Sequence, residues 1–539
     1  MGAAAIETDD LVTIDQVLDR AARQNGSIEA YVEPAVDARP RRSITFAAWR
    51  DRSDAVASWL HGEGVGPNDV ICLLLGPSID FAVAYQGIVR VGAITTGINT
   101  RMGVAERDSI FDRIRPAMTI VEDDLADSLP AVAGQIVHRS ALATLPAAER
   151  PPAPPRRGAD VVAVVWTSGT TGLPKGALFS HDSLRSVAEG TDVLSQPGDR
   201  RLSPLPFSHV SYVTRAWDEI AHGVTTIISP SPWQARSSLE VMRNEAVTVA
   251  QGVPTQWALM LELDELDASN LPSLRVAGTG AARMAPSQVA EIRRRLGVPV
   301  IVRYTSTETS LGTGTRPGDD DETVATTVGR PVSGVTIEIV DGAGAPVGSG
   351  EIGRVRLRSG AVMLGYVAPV REKERGQPLR IDEERTRGVR SDDGWITTGD
   401  FGRLDEAGNL QLVGRDNEMY QRGGYNVYPA EVEHVLDSLE TVAQVAVVSA
   451  EDPILGEVGV AFVVPAGVRA PSLDEVREHV ASQLADYKRP DALEILDSLP
   501  VTPMGKVDKR SLAKIADAAA LRRSRALAAA RQRSARHDT

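Results

Sequence analysis

The most informative segment of this sequence is Thr167-Ser168-Gly169-Thr170-Thr171-Gly172-Leu173-Pro174-Lys175-Gly176. It directly follows Val161 to Trp166, an apolar run rich in β-branched residues that predicts a buried strand. Glycine lets a backbone approach an anion closely, hydroxyl groups donate hydrogen bonds, and Lys175 adds a positive charge. The composition of this loop therefore indicates a binding site for a triphosphate.

The loop differs from the P-loop of the common nucleoside triphosphatases. A P-loop would require Gly at position 174 and Ser or Thr at position 176, where this sequence has Pro174 and Gly176. The sequence therefore excludes a P-loop NTPase. A Gly/Thr-rich turn that binds no ligand is the alternative.

The sequence on both sides of the loop predicts an α/β fold. We expect an amphipathic helix around Phe46 to Leu60, a strand at Val70 to Leu75, and a helix around Ile79 to Val91. Repeated units of this kind are typical of parallel sheets covered by helices. Further strands are predicted at Thr225 to Ile228, Val298 to Val302, Thr336 to Val340 and Leu410 to Val413.

Length and composition predict more than one structural unit. A chain of 539 residues exceeds the size of one compact core, and its hydrophobic content of 42% is sufficient for large buried cores. The proline-rich segment Pro151 to Pro155 predicts a surface linker within the first domain. The polar segment 414–418 precedes a new αβ pattern, so we place the main boundary there, between residues 1–413 and a small α+β domain at residues 419–517.

Residues 518–539 form an Ala- and Arg-rich tail with few bulky apolar residues. This composition predicts a frayed helix or a disordered tail. Weak attraction of the tail to anionic lipid or nucleic acid is the alternative.

Charge, cysteine content and targeting signals restrict the function classes. The net charge of −14 argues against a protein that coats nucleic acid, because phosphate binding requires an excess of Lys and Arg on one face. Cys72, the single cysteine, lies in an apolar run and is expected in the core. The acidic start of the chain lacks a secretory signal pattern, and no apolar run reaches the ~20 residues that span a bilayer. These features predict a cytoplasmic protein that acts on small molecules.

The segment Thr167 to Gly176 closely resembles the signature loop of the adenylate-forming superfamily, which comprises acyl-CoA synthetases, luciferases and nonribosomal adenylation domains. Other segments match in the same order, so the resemblance spans roughly residues 40 to 510. It implies a large N-terminal AMP-binding and acyl-binding domain of several subdomains with parallel sheets, joined by a hinge at 414–418 to a mobile C-terminal domain. It also implies that ATP is bound by Thr167, Ser168, Gly169, Thr170, Thr171, Gly172 and Lys175.

The segment Gly278-Thr279-Gly280-Ala281-Ala282 is similar to a turn of the superfamily that packs against adenine and the substrate carboxylate. This similarity implies nucleotide contacts for Gly280, Ala281 and Ala282. Arg283 follows this segment at a position where proline is more usual in the superfamily. The shape of the surface that packs against adenine is therefore in question.

The segment Tyr304-Thr305-Ser306-Thr307-Glu308 resembles a second part of the nucleotide site. In this motif the aromatic residue lies against adenine, the threonine contacts phosphate, and the glutamate holds Mg²⁺. A hard carboxylate oxygen suits a magnesium ion that also binds phosphate oxygens. Thr305, also a nucleotide-contacting position, stands where glycine is common, so its side chain narrows the pocket.

Three more segments resemble motifs around the substrate and the ribose. Pro206-Phe207-Ser208-His209 is similar to the segment whose histidine lies at the rim of the acyl pocket, although His209 alone would suggest a structural residue. Trp395 to Asp400 resembles the segment whose aspartate accepts hydrogen bonds from both ribose hydroxyls. Gly414-Arg415 resembles the domain junction, where the arginine reaches ribose or phosphate, and Asn417 occupies the hinge position.

The last two motifs lie in the small domain. Arg422-Gly423-Gly424-Tyr425-Asn426 resembles the loop that lines the pantetheine tunnel of coenzyme A, which implies this role for Arg422, Gly423 and Gly424. The segment Pro503 to Lys509 matches the C-terminal lysine loop of the superfamily. Lys506 is the residue of this loop that the resemblance assigns to adenylation.

The resemblance implies an ATP-dependent carboxylic acid:CoA ligase. Its cofactors and substrates would be ATP, Mg²⁺, coenzyme A and a carboxylic acid, which we expect to be hydrophobic, whether fatty, aromatic or alicyclic. Lys506, Glu308, Thr307 and His209 are the predicted catalytic residues, with Glu308 as the metal ligand. The sequence leaves the acid and the oligomeric state open.

Two alternative functions follow from particular residues. Extra residues between Tyr366 and Gly394, including the charged run Arg371 to Arg375, resemble those of acyl-AMP ligases that load a carrier protein. Those ligases typically depart from the lysine-bearing loop, which is intact here at Leu173 to Gly176.

A nucleotide-binding scaffold without catalysis is disfavoured because the charged motif residues are all present, namely Lys175, Glu308, Asp400, Arg415 and Lys506.

Overall fold

The computed structural model describes residues 3–36, 39–152, 154–167, 174–280, 284, 286–370, 376–416, 418–452, 454–502 and 506–517. The chain divides into two compact units. Unit 1 contains residues 1–337 and 356–397, and unit 2 contains residues 338–355 and 398–539. Helices alternate with strands of largely parallel sheets in unit 1, which confirms the predicted α/β class.

The helices of unit 1 begin where the sequence provides caps. The side chains of Thr45 and Ser78 each accept a hydrogen bond from a backbone N–H three residues ahead, and so start the two predicted helices. The helices are α1 (Ile14–Gln24), α2 (Phe46–Gly62), α3 (Ile79–Arg90), α4 (Val104–Ile114), α5 (Arg139–Leu142), α6 (His181–Glu189), α7 (Val210–Val213), α8 (Ala216–Ala221), α9 (Ala235–Asn244), α10 (Pro254–Leu261), α11 (Pro286–Leu296), α12 (Asp321–Thr326) and α13 (Glu383–Arg387).

One sheet of unit 1 carries the predicted phosphate loop. In spatial order its strands are β18 (Gly365–Tyr366), β8 (Lys175–Ser180), β7 (Val161–Thr167), β4 (Ile94–Gly97), β3 (Val70–Leu74), β5 (Met118–Val121) and β6 (Gln135–His138). Strands β7, β4, β3, β5 and β6 are parallel, whereas β8 and β18 are antiparallel additions at one edge. A parallel strand is buried on both faces, which explains the apolar run in β3. Cys72 is fully buried there, as predicted.

The other sheet of unit 1 brings together strands from distant parts of the sequence. In spatial order they are β15 (Arg330–Pro331), β14 (Thr313–Gly314), β13 (Val300–Tyr304), β12 (Val276–Gly280), β11 (Val249–Gly252), β9 (Arg200–Ser203), β10 (Thr225–Ile228), β1 (Glu29–Glu33) and β2 (Arg42–Thr45). The strands from β13 to β1 are parallel. The predicted strand at Val298 begins two residues later, at Val300, and continues to Tyr304.

Unit 2 has mainly antiparallel sheets. The first sheet has most of its residues in unit 2 and consists of β16 (Thr336–Val340), β17 (Gly353–Arg358), β19 (Ile396–Leu404) and β20 (Leu410–Arg415), in this order. Residues 336–337, 356–358 and 396–397 of these strands are assigned to unit 1. The second sheet has the order β22 (Tyr425–Val427), β21 (Tyr420–Arg422), β24 (Gly456–Pro465) and β23 (Val442–Asp452), and β25 (Ala492–Ile495) also pairs with β24. Helices α14 (Pro429–Leu436) and α15 (Leu473–Ala481) pack on the second sheet through Val432 and Val476. This arrangement agrees with the α+β pattern predicted for the small domain.

The proposed boundary at residues 414–418 lies within unit 2, and Asn417 is outside the described residues. The hinge is therefore still a prediction. The tail at residues 518–539 is also outside the described residues. Within the described residues, no helix combines the length and the hydropathy needed to cross a bilayer.

A buried carboxylate anchors α1 in unit 1. Asp15 is fully buried and pairs with Arg150 and Arg156, with 2.7 Å between Asp15 Oδ2 and Arg156 Nη2. These arginines flank the proline-rich linker, which is therefore an anchoring segment as well as a connection. Beside this cluster, Nδ1 of the buried His181 accepts a hydrogen bond of 3.3 Å from the N–H of Ile14. Burial lowers the pKa of His181 to about 4.

We predict that unit 1 loses stability as the pH falls from about 6.5 towards 4, because His181 is neutral in the folded state. The unfolded chain protonates this imidazole near its ordinary pKa of about 6.5, so protonation below that pH favours unfolding. The loss is complete near pH 4, where the folded state also protonates. His181→Asn should reduce the slope of the urea-unfolding midpoint against pH.

Tryptophan fluorescence reports this unfolding selectively, since the seven tryptophans of the chain lie in unit 1. The same substitution at the exposed His61 is the control and should leave the slope unchanged. Equal slopes for His181→Asn and the unmodified protein would contradict the prediction.

Candidate active site

The predicted phosphate loop joins two antiparallel strands. Thr167, the last residue of β7, pairs with Lys175, the first residue of β8. A strand follows the loop, so the positive charge at its C-terminal end comes from Lys175 and not from a helix dipole. Residues 168–173 lie outside the described residues, and they include Ser168, Gly169, Thr170, Thr171 and Gly172.

The register of β18 on β8 places an aromatic ring beside Lys175. Tyr366 pairs with Ala177, and Lys175 lies two residues before Ala177 on the same face of the sheet. The distance from Lys175 Nζ to the centre of the Tyr366 ring is 5.3 Å, which is within the range of a cation–π contact. Tyr366 is buried, with an exposed fraction of 2%.

The same tyrosine contacts Glu308, the predicted Mg²⁺ ligand. Its hydroxyl donates a hydrogen bond of 2.6 Å to Oε1 of Glu308. Burial, and then the charge of Glu308, raises the pKa of Tyr366, so this hydroxyl stays protonated and able to donate. The backbone carbonyl of Glu308 accepts a hydrogen bond of 2.9 Å from the N–H of Met363. These two hydrogen bonds attach Glu308 to β18 and to the segment that leads into it. The predicted catalytic residue Thr307 lies in the same turn and is partly buried.

The predicted adenine contacts lie at the carboxyl ends of neighbouring parallel strands. Gly280 ends β12 and pairs with Arg303, and the buried Tyr304 ends β13. Ligands of parallel α/β sheets commonly bind at such strand ends. The hydroxyl of Thr279 is buried and has no hydrogen-bond partner among the described atoms, so it is available to a ligand. Thr305, directly after β13, is exposed.

The structure corrects the turn expected from Gly278 onward. Gly278 to Gly280 belong to strand β12, because Gly278 and Thr279 pair with both β11 and β13 and Gly280 pairs with β13. A Cβ at Gly280 would lie 2.9 Å from the carbonyl oxygen of Arg303, so this close strand approach requires glycine. Ala281 and Ala282 lie outside the described residues.

His209 is positioned by its own helix end and by an aromatic cluster. Its Nδ1 accepts a hydrogen bond of 3.2 Å from the N–H of Ser211, so the neutral ring carries its proton on Nε2. The rings of Phe207 and Tyr212, on either side of His209 in sequence, stack with centroids 3.7 Å apart. Both rings are buried. The stacked rings therefore hold the segment that carries His209, and the Nδ1 atom of His209 caps the start of α7.

In unit 2, the predicted ribose-binding residues form an ion pair. Asp400 on β19 pairs in register with Arg415 on β20, and Arg415 Nε lies 2.9 Å from Asp400 Oδ1. The segment Thr398 to Asp400 would suggest a simple turn on composition alone. It instead lies within β19, and the Thr398 hydroxyl donates a hydrogen bond of 2.9 Å to the carbonyl of Val355.

Lys506 joins this pair although it lies far away in the sequence. Burial lowers the pKa of Lys506, the charge of Arg415 lowers it further, and Asp400 opposes this effect. The lysine loop is closed by a hydrogen bond of 2.7 Å from the Thr502 N–H to the Lys506 carbonyl. Lys506 is therefore close enough to the Asp400–Arg415 pair for both charges to shift its pKa.

The proposed pantetheine loop is a tight hairpin between β21 and β22. Gly423 and Gly424 form its tip, with φ of 57° and 87°, a left-handed conformation that favours glycine at both positions. Arg422 donates hydrogen bonds of 2.7 Å and 3.0 Å to the two carboxylate oxygens of the fully buried Asp491. Its guanidinium therefore anchors the hairpin, and a contact of Arg422 with coenzyme A is still a prediction.

The described residues fit the ligands that the resemblance implies. The Tyr366 hydroxyl donates its hydrogen bond to Oε1 of Glu308 alone. The other lone pairs of this carboxylate therefore remain for a hard cation such as Mg²⁺. Lys506 and Arg415 suit an anionic phosphate, and the Thr279 hydroxyl is a free polar group at the strand ends. A Cβ at Gly424 would meet no atom within 4 Å, so the hairpin tip can be approached closely.

Sequence reasoning missed two residues that organise these sites, Tyr366 and Asp491. Each acts through a partner that is distant in sequence, Glu308 for Tyr366 and Arg422 for Asp491. The Gly365-Tyr366 dipeptide after an apolar run was a signal for a short strand, but it did not indicate which strand would be its neighbour.

Comparisons with known proteins identify the family of this chain. The family model for AMP-binding enzymes matches residues 18–367, and the model for the AMP-binding enzyme C-terminal domain matches residues 431–506. A methyl-dioxo-octahydroindenyl propanoyl:CoA ligase of Rhodococcus jostii is 30% identical over 94% of this chain and 99% of its own length. The long-chain-fatty-acid–CoA ligase FadD13 of Mycobacterium tuberculosis is 30% identical over 93% of this chain and 97% of its own length.

Among solved structures, ATP-bound MatB from Rhodopseudomonas palustris matches with a TM-score of 0.82 and 26% identity, over 93% of this chain and 99% of that one. The regions matched by the family models include the segment between β7 and β8 and the Glu308 turn, and the second model ends at Lys506. The chain therefore belongs to the family of AMP-binding enzymes and, with them, to the adenylate-forming superfamily that its motifs resemble.

Proposed function

We propose that this protein is an ATP-dependent carboxylic acid:CoA ligase, which forms an acyl-adenylate and then an acyl-CoA thioester. The observation that carries the proposal is in unit 2, where the charges of the Arg415–Asp400 ion pair act on the partly buried Lys506. This group matches what an adenylating site needs, since it combines a carboxylate acceptor for ribose with positive charge for phosphate.

The first half-reaction needs positive charge. A carboxylate is a poor electrophile, and its attack on the α-phosphate of ATP brings two anions together. In our proposal Lys506 and Lys175 offset this repulsion and stabilise the charge that develops on the transferring phosphorus. Glu308 would hold Mg²⁺, which when bound supplies further charge neutralisation at the phosphate oxygens.

The second half-reaction replaces an oxygen by a sulfur. The thiol of coenzyme A attacks the acyl carbonyl carbon of the adenylate, the carbon–oxygen bond to AMP breaks as the carbon–sulfur bond forms, and the thiol proton passes to solvent. A thiol with a pKa near 8.5 is nucleophilic enough near neutrality without a dedicated base. We propose that the hairpin at Gly423 and Gly424 lines the path of the pantetheine and that residues 414–418 act as the hinge between the half-reactions.

The acid is proposed to be hydrophobic, whether fatty, aromatic or alicyclic. Two relatives support this class, since their names specify a long-chain fatty acid and a propanoate on a fused ring system. His209 is proposed to lie at the rim of the acyl pocket, where its rigid segment would orient the substrate.

Substrates such as ATP and CoA support a cytoplasmic location. For the Arg-rich tail, we propose at most a weak attraction to anionic lipid.

The proposal predicts AMP release that depends on both an acid and CoA. The purified protein is incubated with ATP, Mg²⁺, CoA and a panel of fatty, aromatic and alicyclic acids, and AMP and thioester are measured by mass spectrometry. Omission of the acid or of CoA is the control for each reaction. Thioester on a holo-carrier protein but not on CoA would identify the alternative acceptor, and no acid-dependent pyrophosphate or AMP across the panel would overturn the proposal.

Lys506→Ala should separate the two half-reactions. We expect adenylate formation, measured as acid-dependent ATP–pyrophosphate exchange, to fall by about 100-fold or more, because a charge that stabilises the transition state is lost. Thioester formation from synthetic acyl-adenylate and CoA should change little. The control is Lys514→Ala, an exposed lysine a few residues later in the chain. An equal loss in both half-reactions would contradict this division.

A further inference from the structure

Tyr366 contacts two of the side chains that we propose to act on ATP. Its hydroxyl donates to Glu308 at 2.6 Å, and its ring faces the ammonium group of Lys175 at 5.3 Å. Tyr366 is not a residue to which the sequence motifs assign a role. Its position follows from the pairing of β18 with β8, which is part of the fold itself.

The tyrosine lies between two opposite charges. Glu308 and Lys175 both contact Tyr366, yet among the ion pairs of the described residues none joins the two. A direct pair would satisfy the carboxylate and the ammonium with each other, and either charge would then be less available to a metal or a phosphate. The hydroxyl has one proton and so engages one carboxylate oxygen, while the ring attracts the ammonium without neutralising it.

We propose that Tyr366 is a positioning residue that keeps Glu308 and Lys175 apart and oriented, so that the carboxylate is ready for a divalent cation and the ammonium for phosphate. The inference rests on the proposed function, because it concerns the same ATP site. Partners that orient a ligating carboxylate from behind commonly determine metal affinity, and their loss costs about 10-fold to 100-fold.

A purely structural role is the competing explanation. Tyr366 is buried at a sheet edge, and its backbone N–H also donates a hydrogen bond of 3.0 Å to the hydroxyl of Thr386. If the side chain only fills space, its hydroxyl should affect stability but not the dependence of ATP binding on Mg²⁺. The dependence on Mg²⁺ therefore distinguishes the two explanations.

The test is Tyr366→Phe, which removes the hydroxyl and keeps the ring. Calorimetric titration should show that Mg²⁺·ATP binds about 10-fold more weakly to Tyr366→Phe than to the unmodified protein, whereas ATP with EDTA binds within about twofold. Tyr366→Leu also removes the ring beside Lys175, so it should weaken the binding of ATP in EDTA as well. The matched control is Tyr85→Phe, because the Tyr85 hydroxyl is buried and has no hydrogen-bond partner among the described atoms.

Unchanged Mg²⁺·ATP affinity in Tyr366→Phe would overturn the inference, as would an equal loss with and without Mg²⁺. If Tyr366→Phe is unstable, Glu308→Gln provides a second route, because it removes the charge but keeps an acceptor for the hydroxyl. It should lose the Mg²⁺-dependent part of the affinity, and adding Tyr366→Phe to it should cause no further Mg²⁺-dependent loss. An additive further loss would contradict a role through Glu308.

The inference and the proposed function fail in different ways. Unmodified protein that binds Mg²⁺·ATP but releases no AMP with any acid would overturn the function and leave the role of Tyr366 intact. Unmodified protein that is active, with a Tyr366→Phe variant of unaltered Mg²⁺ dependence, would overturn only the inference.

Discussion

The candidate ATP-binding side chains of unit 1 depend on one antiparallel pairing, that of β18 with β8. Because the pairing sets Tyr366 opposite Ala177, the ring reaches Lys175 and the hydroxyl reaches Glu308. A slip of one residue would turn the ring to the other face of the sheet. Gly365 opposes such a slip, since a Cβ there would lie 2.7 Å from Ile381 Cγ2. Packing beneath the strand thus specifies a contact on which the proposed chemistry relies.

In unit 2, contacts between charged side chains, and not an aromatic ring, connect the candidate site residues. Lys506 and Arg415 carry like charges near one carboxylate, Asp400, and burial makes the charged state of Lys506 less favourable. A ligand that carries both phosphate and ribose would suit this group. Its phosphate oxygens would offset the positive charge of Lys506 and Arg415, and its ribose hydroxyls would donate hydrogen bonds to Asp400. By contrast, Arg422 donates to both carboxylate oxygens of the buried Asp491, and this bidentate pair anchors the hairpin.

The two kinds of contact also explain which parts could be predicted from sequence. Motifs of consecutive residues singled out Lys175, Glu308 and Lys506 as candidates, because phosphate and metal chemistry restricts both residue type and local spacing. The strands at Thr225 and Thr336 were predicted because burial imposes apolar, β-branched runs. These signals are local in the sequence.

Long-range pairing could not be predicted in this way. Gly278 to Gly280 have the composition of a turn, yet they continue a strand because β11 and β13 supply hydrogen bonds on both sides. Thr398 to Asp400 likewise belong to β19 because β20 lies alongside. In each case a neighbouring strand overrides a weak local preference.

The choice between lysine and arginine gives a further indication of where contacts change during the reaction. Only six of the 58 basic residues are lysine, namely Lys175, Lys373, Lys488, Lys506, Lys509 and Lys514. Arginine fits fixed acceptors through its planar fork, as in the pair of Arg422 with Asp491, whereas an ammonium is a compact charge on a flexible stem. A chain that uses arginine almost throughout nevertheless places lysine over the Tyr366 ring and beside Arg415. If Lys175 and Lys506 contact phosphate as we propose, a compact charge on a flexible stem would follow a departing phosphate more readily than a rigid bidentate fork. Lysine also forms ion pairs away from these positions, as Lys488 does with Glu431 and Lys509 with Glu418, so we infer this for Lys175 and Lys506 alone.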